Sequence, residues 1–296
     1  MRGLIRLLGL LAVLALAAGL WLTRADHITE DEVAGLTGDP AAGEAVFWAA
    51  GCASCHAADE AEGEDRLILS GGQAFPSEFG TFRAPNISTD PVHGIGDWTL
   101  AQFLTALQNG ISPEGQHYYP AFPYTVYRLA ERQDLADLYA FMQTLPASGV
   151  PSEPHDVGFP FSIRRAVGAW NLLHLRDDFA VNAELSAEAE RGRYLAEALA
   201  HCGECHTPRN AIGGLDLARW FGGAPDPSGS GTIPNITPNA LGWSASEIAA
   251  YLNDGFTPDF DVAGGHMRSV ILNMAELTEA DRAAIADYLL QVPDIP

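Results

Sequence analysis

The sequence predicts an all-α protein in which two similar helical domains follow one another after an N-terminal apolar helix. Three observations support this fold class. The same series of short motifs occurs twice, the segments around the motifs carry apolar residues at helical spacing, and no stretch alternates as a convincing strand does. The chain has 296 residues, a length that suits two domains.

The N-terminal segment, residues 1–25, contains an apolar run from Leu7 to Leu22 that Arg2 and Arg6 precede. This run approaches the roughly 20 residues that span a bilayer, so it is predicted to be a membrane anchor with its N-terminus inside. A cleaved signal peptide is the alternative, because Ala15-Leu16-Ala17 matches a cleavage pattern. In both cases the rest of the chain is exported.

The strongest repeated motif is Cys-x-x-Cys-His, which is the attachment signature of c-type haem. It occurs as Cys52-Ala53-Ser54-Cys55-His56 and as Cys202-Gly203-Glu204-Cys205-His206. Two thiols at this spacing reach the two vinyl groups of one porphyrin, and the next imidazole binds the iron. The sequence therefore predicts two covalently bound haem c groups. Their predicted attachment residues are Cys52, Cys55, Cys202 and Cys205, and their predicted axial ligands are His56 and His206.

A structural zinc site and a redox disulfide also use Cys-x-x-Cys. The two pairs of a zinc site usually lie about 15–20 residues apart. Here they lie 150 residues apart, and each is followed by its own histidine. A disulfide would not require that histidine twice, so haem attachment is the favoured interpretation.

Three helices are predicted in each domain. The first is amphipathic, delivers the cysteines, and contains a glycine nine or ten residues before the first of them. The second has about ten residues, with Thr99 or Ser244 as its N-cap and Gly110 or Gly255 at its C-terminal end. The third closes the domain, over residues 134–145 and 278–292.

The domain boundaries follow from these repeats. The first domain is predicted over residues 38–147 and the second over residues 184–296. Residues 148–183 join them; prolines make the start of this linker extended, but its many apolar side chains predict that it packs across both domains. Residues 57–83 and 207–232 are predicted to be loops.

The charge of the chain bears on its partners. The net charge is −22 and every basic residue is arginine, with no lysine. This balance argues against nucleic-acid binding, which needs a basic face. It favours a redox partner protein with a basic docking patch, because complementary charge speeds encounter. The alternative is that the acidity only keeps the protein soluble.

Further stretches after residue 38 carry a family resemblance: Ala84-Pro85-Asn86-Ile87 with Gly94-Ile95-Gly96-Asp97-Trp98, Tyr119-Pro120-Ala121-Phe122-Pro123-Tyr124, Phe159-Pro160-Phe161 with Ala169-Trp170-Asn171-Leu172-Leu173, and the residues around the second haem motif and the closing helix. They resemble the membrane-associated cytochrome c subunits of bacterial periplasmic dehydrogenases, such as those of alcohol and gluconate. The resemblance implies two class I-like cytochrome c domains. It also implies electron relay from a partner dehydrogenase toward quinone or a terminal oxidase. Members of this family often carry three haems, whereas this chain has motifs for two.

The sixth ligand of the second haem is predicted to be Met267, which follows the glycine-rich Gly264-Gly265-His266. A methionine opposite a histidine is the arrangement of electron-transfer haems. The resemblance places the ligand at the same residue. Met274 lies in an apolar run and is predicted to be part of the core.

The sixth ligand of the first haem stays open. The family pattern has a methionine where this chain has Phe122, and phenylalanine cannot bind iron. His117 is the first candidate, an empty sixth position is the second, and Met142 and His93 follow.

Other residues are candidates for orienting the haems. The carbonyl of Pro85, Pro234 or Pro208 is predicted to hold an axial histidine. Arg209 is a candidate partner for a haem propionate. Trp98 and Trp243 border a haem or pack in the core.

The predicted function is therefore single-electron transfer by a membrane-anchored, periplasmic dihaem cytochrome c, with no catalytic residues of its own. The rival is a dihaem peroxidase-like enzyme, in which the first haem has an open sixth position. The coordination of that haem distinguishes the two.

Overall fold

The computed structural model describes residues 1–227, 229 and 231–296. The first half contains α1 (Arg2–Leu22), α2 (Glu30–Val33), α3 (Pro40–Ala49), α4 (Cys52–His56), β1 (Ala74–Ser77), β2 (Gly80–Arg83), α5 (Leu100–Asn109), α6 (Tyr124–Tyr127) and α7 (Arg132–Met142). The linker contains α8 (Arg164–His174). The second half contains α9 (Ala187–Tyr194), α10 (Cys202–His206), β3 (Ala224–Pro225), β4 (Thr232–Ile233), α11 (Pro238–Leu241), α12 (Ala245–Asp254), α13 (His266–Met274) and α14 (Glu279–Leu289). Short 3₁₀ turns occupy Gly63–Leu67 and Leu217–Arg219, and a π-helical turn occupies Leu195–Leu199.

The N-terminal helix α1 is long and apolar enough to cross a membrane. It has 21 residues, its mean hydropathy is 2.3, and none of it is buried against the rest of the chain. The segment immediately after α1 is hydrogen-bonded to α5 of the first domain. The Ile28 N–H donates to Thr105 Oγ1 at 2.9 Å, and Asn109 Nδ2 donates to the carbonyl of Asp26 at 2.9 Å.

Each domain is built on a crossing of its first and last helices. A Cβ at Gly43 in α3 would lie 1.9 Å from the carbonyl oxygen of Asp137 in α7. In the second domain a Cβ at Gly192 in α9 would lie 1.9 Å from the carbonyl oxygen of Ala284 in α14. Only glycine permits such an approach of two backbones, so these two glycines set the same crossing in both domains.

A π-helical turn explains why the glycine lies nine residues before the first cysteine in one repeat and ten in the other. In the second domain the N–H of Ala200 bonds to the carbonyl of Leu195, five residues back, at 2.7 Å. A π-turn accommodates one extra residue in a helix. The glycine crossing and the cysteines therefore keep the same relative places in both domains.

The predicted helices are confirmed, with shifts at their ends. The Thr99 hydroxyl caps α5 and the Ser244 hydroxyl caps α12. In return, the N–H of each cap residue donates to the side chain of the third residue of the helix. These helices end at Gly110 and Gly255, whose φ values of 62° and 76° are left-handed. The closing helix of the first domain begins at Arg132, slightly before the predicted start.

The sequence predicts no strands, but the structure contains two short antiparallel hairpins. β1 pairs with β2, and β3 pairs with β4, inside the two regions predicted to be loops. Strands of four and two residues are too short to show an alternating pattern in sequence.

The linker contacts both domains. Asn86 of the first domain donates through Nδ2 to the carbonyls of Ser148 and Val150, both at 2.7 Å. The hydroxyl of Tyr124 donates to Asn171 Oδ1 in α8 at 2.7 Å. On the other side, Trp170 Nε1 donates to the carbonyl of Ile212 in the second domain at 2.8 Å.

Candidate functional site

The two histidines predicted to be axial ligands have the same kind of partner in both domains. His56 Nδ1 lies 2.8 Å from the carbonyl of Pro85, and His206 Nδ1 lies 2.9 Å from the carbonyl of Pro234. A ring that donates through Nδ1 keeps Nε2 free for a metal. Burial lowers the pKa of both imidazoles, which favours the neutral, ligating form. The third candidate carbonyl, that of Pro208, accepts instead from the N–H of Asp216 at 2.8 Å.

None of the four cysteines forms a disulfide, so all four are available for haem attachment. Burial raises the pKa of Cys52 to about 12, that of Cys55 to about 11 and that of Cys202 to about 12. No group of three or more histidine, cysteine or carboxylate side chains among the described residues is placed so as to enclose a lone metal ion. Each motif instead offers two thiols for a porphyrin and one imidazole for its iron, which suits a covalent haem.

Met267 is the second residue of α13, the helix that follows Gly265. Its side chain is partly buried and packs against the core. Met274 ends the same helix and is 3% exposed within the core, as the sequence predicts.

The two domains share the backbone of the loop before the sixth-ligand position. The N–H of Tyr118 donates to the carbonyl of Gly110 at 2.7 Å, and the N–H of Ala263 donates to the carbonyl of Gly255 at 2.8 Å. Counted from these bonds, Phe122 occupies the place of Met267. Phe122 packs among aromatic rings there, with centroids 5.7 Å from Tyr118 and 5.9 Å from Tyr127.

The remaining candidate ligands of the first haem have other surroundings. His117 is buried, its Nε2 lies 3.0 Å from the carbonyl of Thr23, and its Nδ1 has no partner. A Cβ at Gly168 of α8 would lie 2.8 Å from His117 Nε2, so the ring is covered by the linker helix. Met142 is 3% exposed in the core, and His93 is exposed to solvent.

The predicted orienting residues differ in their contacts. Arg209 forms an ion pair with Glu204 inside the second haem motif, and its Nη1 donates to the carbonyl of Gly213 at 2.8 Å. The pairing of Arg209 with a haem propionate stays a prediction. Trp98 and Trp243 are partly buried against the core.

Each haem motif contacts the other domain, and the two sets of contacts are reciprocal. Ser54, the third residue of the first motif, donates to the carbonyl of Ser269 at 3.2 Å and accepts from Asn273 Nδ2 at 2.6 Å. Both partners lie in α13. Glu204, the third residue of the second motif, accepts from Thr125 Oγ1 in α6 at 3.0 Å. The first motif therefore contacts the helix that contains Met267, and the second contacts the helix that follows Phe122.

A partly buried arginine, which the sequence pattern does not indicate, reinforces this interface. The guanidinium of Arg66 lies 4.3 Å from the ring centroid of Trp48 in α3. It donates to Asn273 Oδ1 at 2.7 Å and to the carbonyl of Leu272 at 2.9 Å, and it pairs with Glu276 at 2.9 Å. No local sequence pattern indicates this role, because the hydrogen-bond partners of Arg66 are over 200 positions away in the chain.

A buried carboxylate in the π-turn was also missed. Glu197 is 1% exposed and accepts from the hydroxyl of Tyr288 and from the N–H groups of Ala180 and Val181 in the linker. Arg176 Nη2 lies 3.6 Å from it. Burial raises the pKa of Glu197. A lone glutamate among alanines and leucines was the only signal in the sequence.

The repeated sites agree with a family comparison. A family profile described as cytochrome c matches residues 40–146 and again residues 189–293, which together cover more than half of the chain. The chain belongs to the cytochrome c family. The cytochrome binds two covalent haem c groups, one in each domain.

Curated relatives are similar over most of this cytochrome. It is 56% identical to a "Diheme cytochrome c-type" protein of Cereibacter sphaeroides over 285 residues, which are 96% of each chain. It is 37% identical to the fructose dehydrogenase cytochrome subunit of Gluconobacter japonicus over 83% of the chain and 51% of the relative. It is 30% identical to the gluconate 2-dehydrogenase cytochrome c subunit of Pantoea cypripedii over 83% of the chain and 58% of the relative. The cytochrome thus spans about half the length of these dehydrogenase subunits.

Proposed function

We propose that this cytochrome relays single electrons between a periplasmic dehydrogenase and the respiratory chain, toward quinone or a terminal oxidase. The observation that carries the proposal is that each haem motif contacts the other domain, through Ser54 at α13 and through Glu204 at α6. Two redox centres whose attachment motifs both lie at the interface between the domains are suited to exchanging electrons within the chain. The relatives that are cytochrome subunits of dehydrogenases support a dehydrogenase as donor.

The residues proposed to hold the groups follow the repeat. Cys52 and Cys55 attach one haem and Cys202 and Cys205 the other, while His56 and His206 are the axial ligands. Each bound iron would supply one-electron redox chemistry. Pro85 and Pro234 orient the imidazoles through Nδ1. Met267 is the proposed sixth ligand of the second haem, since sulfur opposite histidine suits electron transfer.

The first haem is proposed to have a different ligand set, because Phe122 stands where the second domain has Met267. His117 was the first candidate, but its Nε2 is bonded to Thr23 and its ring lies under α8. These contacts favour a structural role for His117, in which it fixes the chain that leaves α1.

We propose further that α1 anchors the cytochrome to the inner membrane, with both domains in the periplasm. The apolar character and complete exposure of α1 support an anchor. Arg165 supports a fixed exit from the membrane, because it donates to Thr23 Oγ1 at 3.0 Å and to the carbonyl of Leu20.

One experiment tests the electron-transfer proposal. The purified full-length protein is titrated potentiometrically while its visible spectrum is recorded, and its EPR spectrum is taken in the oxidised state. We expect two one-electron steps, and we expect no turnover of hydrogen peroxide. A single redox step, or a mass lacking two haems, would contradict the proposal.

A second function is favoured by Phe122 alone, because an absent methionine leaves a peroxidase-like site available on the first haem. That alternative predicts a high-spin ferric signal, rapid cyanide binding and peroxide turnover. Low-spin signals from both irons would eliminate it.

A further inference from the structure

The loop Gly255–Ala263 precedes Met267 in the second domain. Its counterpart in the first domain is the loop Gly110–Tyr118. Both loops are closed by a bridge, between Phe256 and Val262 in the second domain and between Ile111 and His117 in the first. The backbone hydrogen bonds that join the last residue of each loop to its first residue match in register. The two loops differ in what covers them.

The loop of the first domain is covered by the chain itself. Ile111 is 2% exposed and His117 is 5% exposed. The segment after α1 lies on this loop, since a Cβ at Gly115 would contact His27 and Ala25, and α8 covers His117.

The loop of the second domain carries apolar residues where the first has Ile111, Gly115 and His117, and the rest of the chain does not cover them. Phe256 is 52% exposed, Val262 is 59% exposed and Phe260 is 89% exposed. We call these three residues the 256–262 patch. Three exposed acidic residues, Asp254, Asp259 and Asp261, lie in or next to this loop. The next basic residue along the chain after the loop, apart from His266, is Arg268, which pairs with Glu62 at 3.8 Å.

Phe260 has a second unfavourable feature. Its φ is 64°, in the left-handed region, at the place where the first domain has Gly115 with φ of 81°. A bulky residue in this conformation is strained, and strain of this kind is concentrated at functional sites. The chain thus holds a large apolar side chain in solvent at a position where glycine would be more stable.

We infer that the 256–262 patch is the docking surface for a redox partner protein that presents an apolar contact ringed by lysine and arginine. The patch lies on the loop whose counterpart the first domain buries, and the neighbouring carboxylates are complementary to a basic ring. Because the 256–262 patch precedes Met267 in the chain, a partner docked on it would lie beside the proposed ligand loop of the second haem. The inference rests on the proposed electron-transfer function and deepens it by naming the surface.

The test uses stopped-flow mixing of the reduced full-length cytochrome with ferric mitochondrial cytochrome c, whose haem edge is ringed by lysines. Ferricyanide, a small anionic oxidant, is the parallel probe. The main variant is Phe260→Gly, which suits the left-handed backbone and so does not endanger folding. The matched control is Phe159→Gly, because Phe159 in the linker is 84% exposed.

We expect Phe260→Gly to lower the second-order rate constant with the protein probe about tenfold, as for an interface anchor, and to leave the ferricyanide rate unchanged. Phe159→Gly should leave both rates unchanged. Asp259→Lys should slow the protein probe at low ionic strength and flatten its salt dependence.

Equal effects of Phe260→Gly and Phe159→Gly, or no effect of either, would overturn the inference. It would also be overturned if Phe260→Gly instead abolished vesicle binding or self-association, because a lipid surface or a second copy would then cover the patch. A wild-type protein that fails with ferricyanide as well would instead contradict the electron-transfer function itself.

Discussion

Glu197 and Tyr288 form a buried hydrogen bond at the place where the first domain packs Phe47 against Phe141. Glu197 and Phe47 each lie five residues before the first cysteine of their motif. Tyr288 and Phe141 are matching positions of the closing helices. The second domain therefore replaces an aromatic pair by a polar pair, and its carboxylate also binds the linker N–H groups of Ala180 and Val181.

Glu197→Ala is expected to reduce the free energy of unfolding by about 2–4 kcal/mol, because it leaves buried donors on Tyr288 and the linker without acceptors. The double variant Glu197→Phe with Tyr288→Phe recreates the aromatic pair of the first domain and should recover part of this loss. Urea denaturation checks both variants. A double variant that is less stable than Glu197→Ala would contradict this explanation.

The same carboxyl should make stability depend on pH. Burial raises the pKa of Glu197 in the folded state above its ordinary value of 4.5. A raised folded pKa contributes stability that is complete below the ordinary pKa and is lost as the pH rises through the folded pKa. Relative to Glu197→Gln, which does not titrate, the wild type should lose stability as the pH rises above 4.5. Urea denaturation across that range tests this, and a constant difference between the two proteins would show that the pKa is not raised.

Met267→Ala should convert the second haem to a high-spin state and lower its midpoint potential, because a thioether ligand raises the potential. The first haem should be unaffected. Met274→Leu, at the other end of α13, is the matched control and keeps the core volume. Optical and EPR spectra with potentiometric titration provide the measurement. An unchanged second haem in Met267→Ala would remove Met267 from the ligand set.

Phe122→Met should place a sulfur at the position that Met267 occupies in the other domain. We expect it to make the first haem low-spin with a higher potential. His117→Ala, in comparison, should lower stability by about 1–3 kcal/mol through the lost bond to Thr23 and leave the spectrum of the first haem unchanged. If the spectrum of that haem changes in His117→Ala, His117 is its ligand.

Arg66→Met should weaken the domain interface, because it removes the bonds to Asn273 and Leu272 and the ion pair with Glu276. A loss of about 1–3 kcal/mol is expected for these partly buried bonds. Electron transfer between the haems, followed after partial photoreduction, should also slow. Arg83→Met is the control, since the exposed pair of Arg83 with Glu153 should contribute less than about 1 kcal/mol. Similar losses in both variants would argue against a special role for Arg66.

The sequence by itself determined the features that depend on neighbours in the chain. The two Cys-x-x-Cys-His motifs and the caps at Thr99 and Ser244 follow from residue type and spacing, and the family resemblance marks Phe122 as the place of a missing methionine. Such features arise from residues that are close together in the chain, so they do not depend on how distant parts of the chain pack.

Only the tertiary structure decided the features that join distant residues. It selected the carbonyls of Pro85 and Pro234 for the axial histidines, and it brought Ser54 and Asn273 together. It also covered one ligand loop with the chain after α1 and left the 256–262 patch bare. Two repeats with the same local pattern differ in this way because burial depends on what packs against a loop, which no short stretch of sequence specifies.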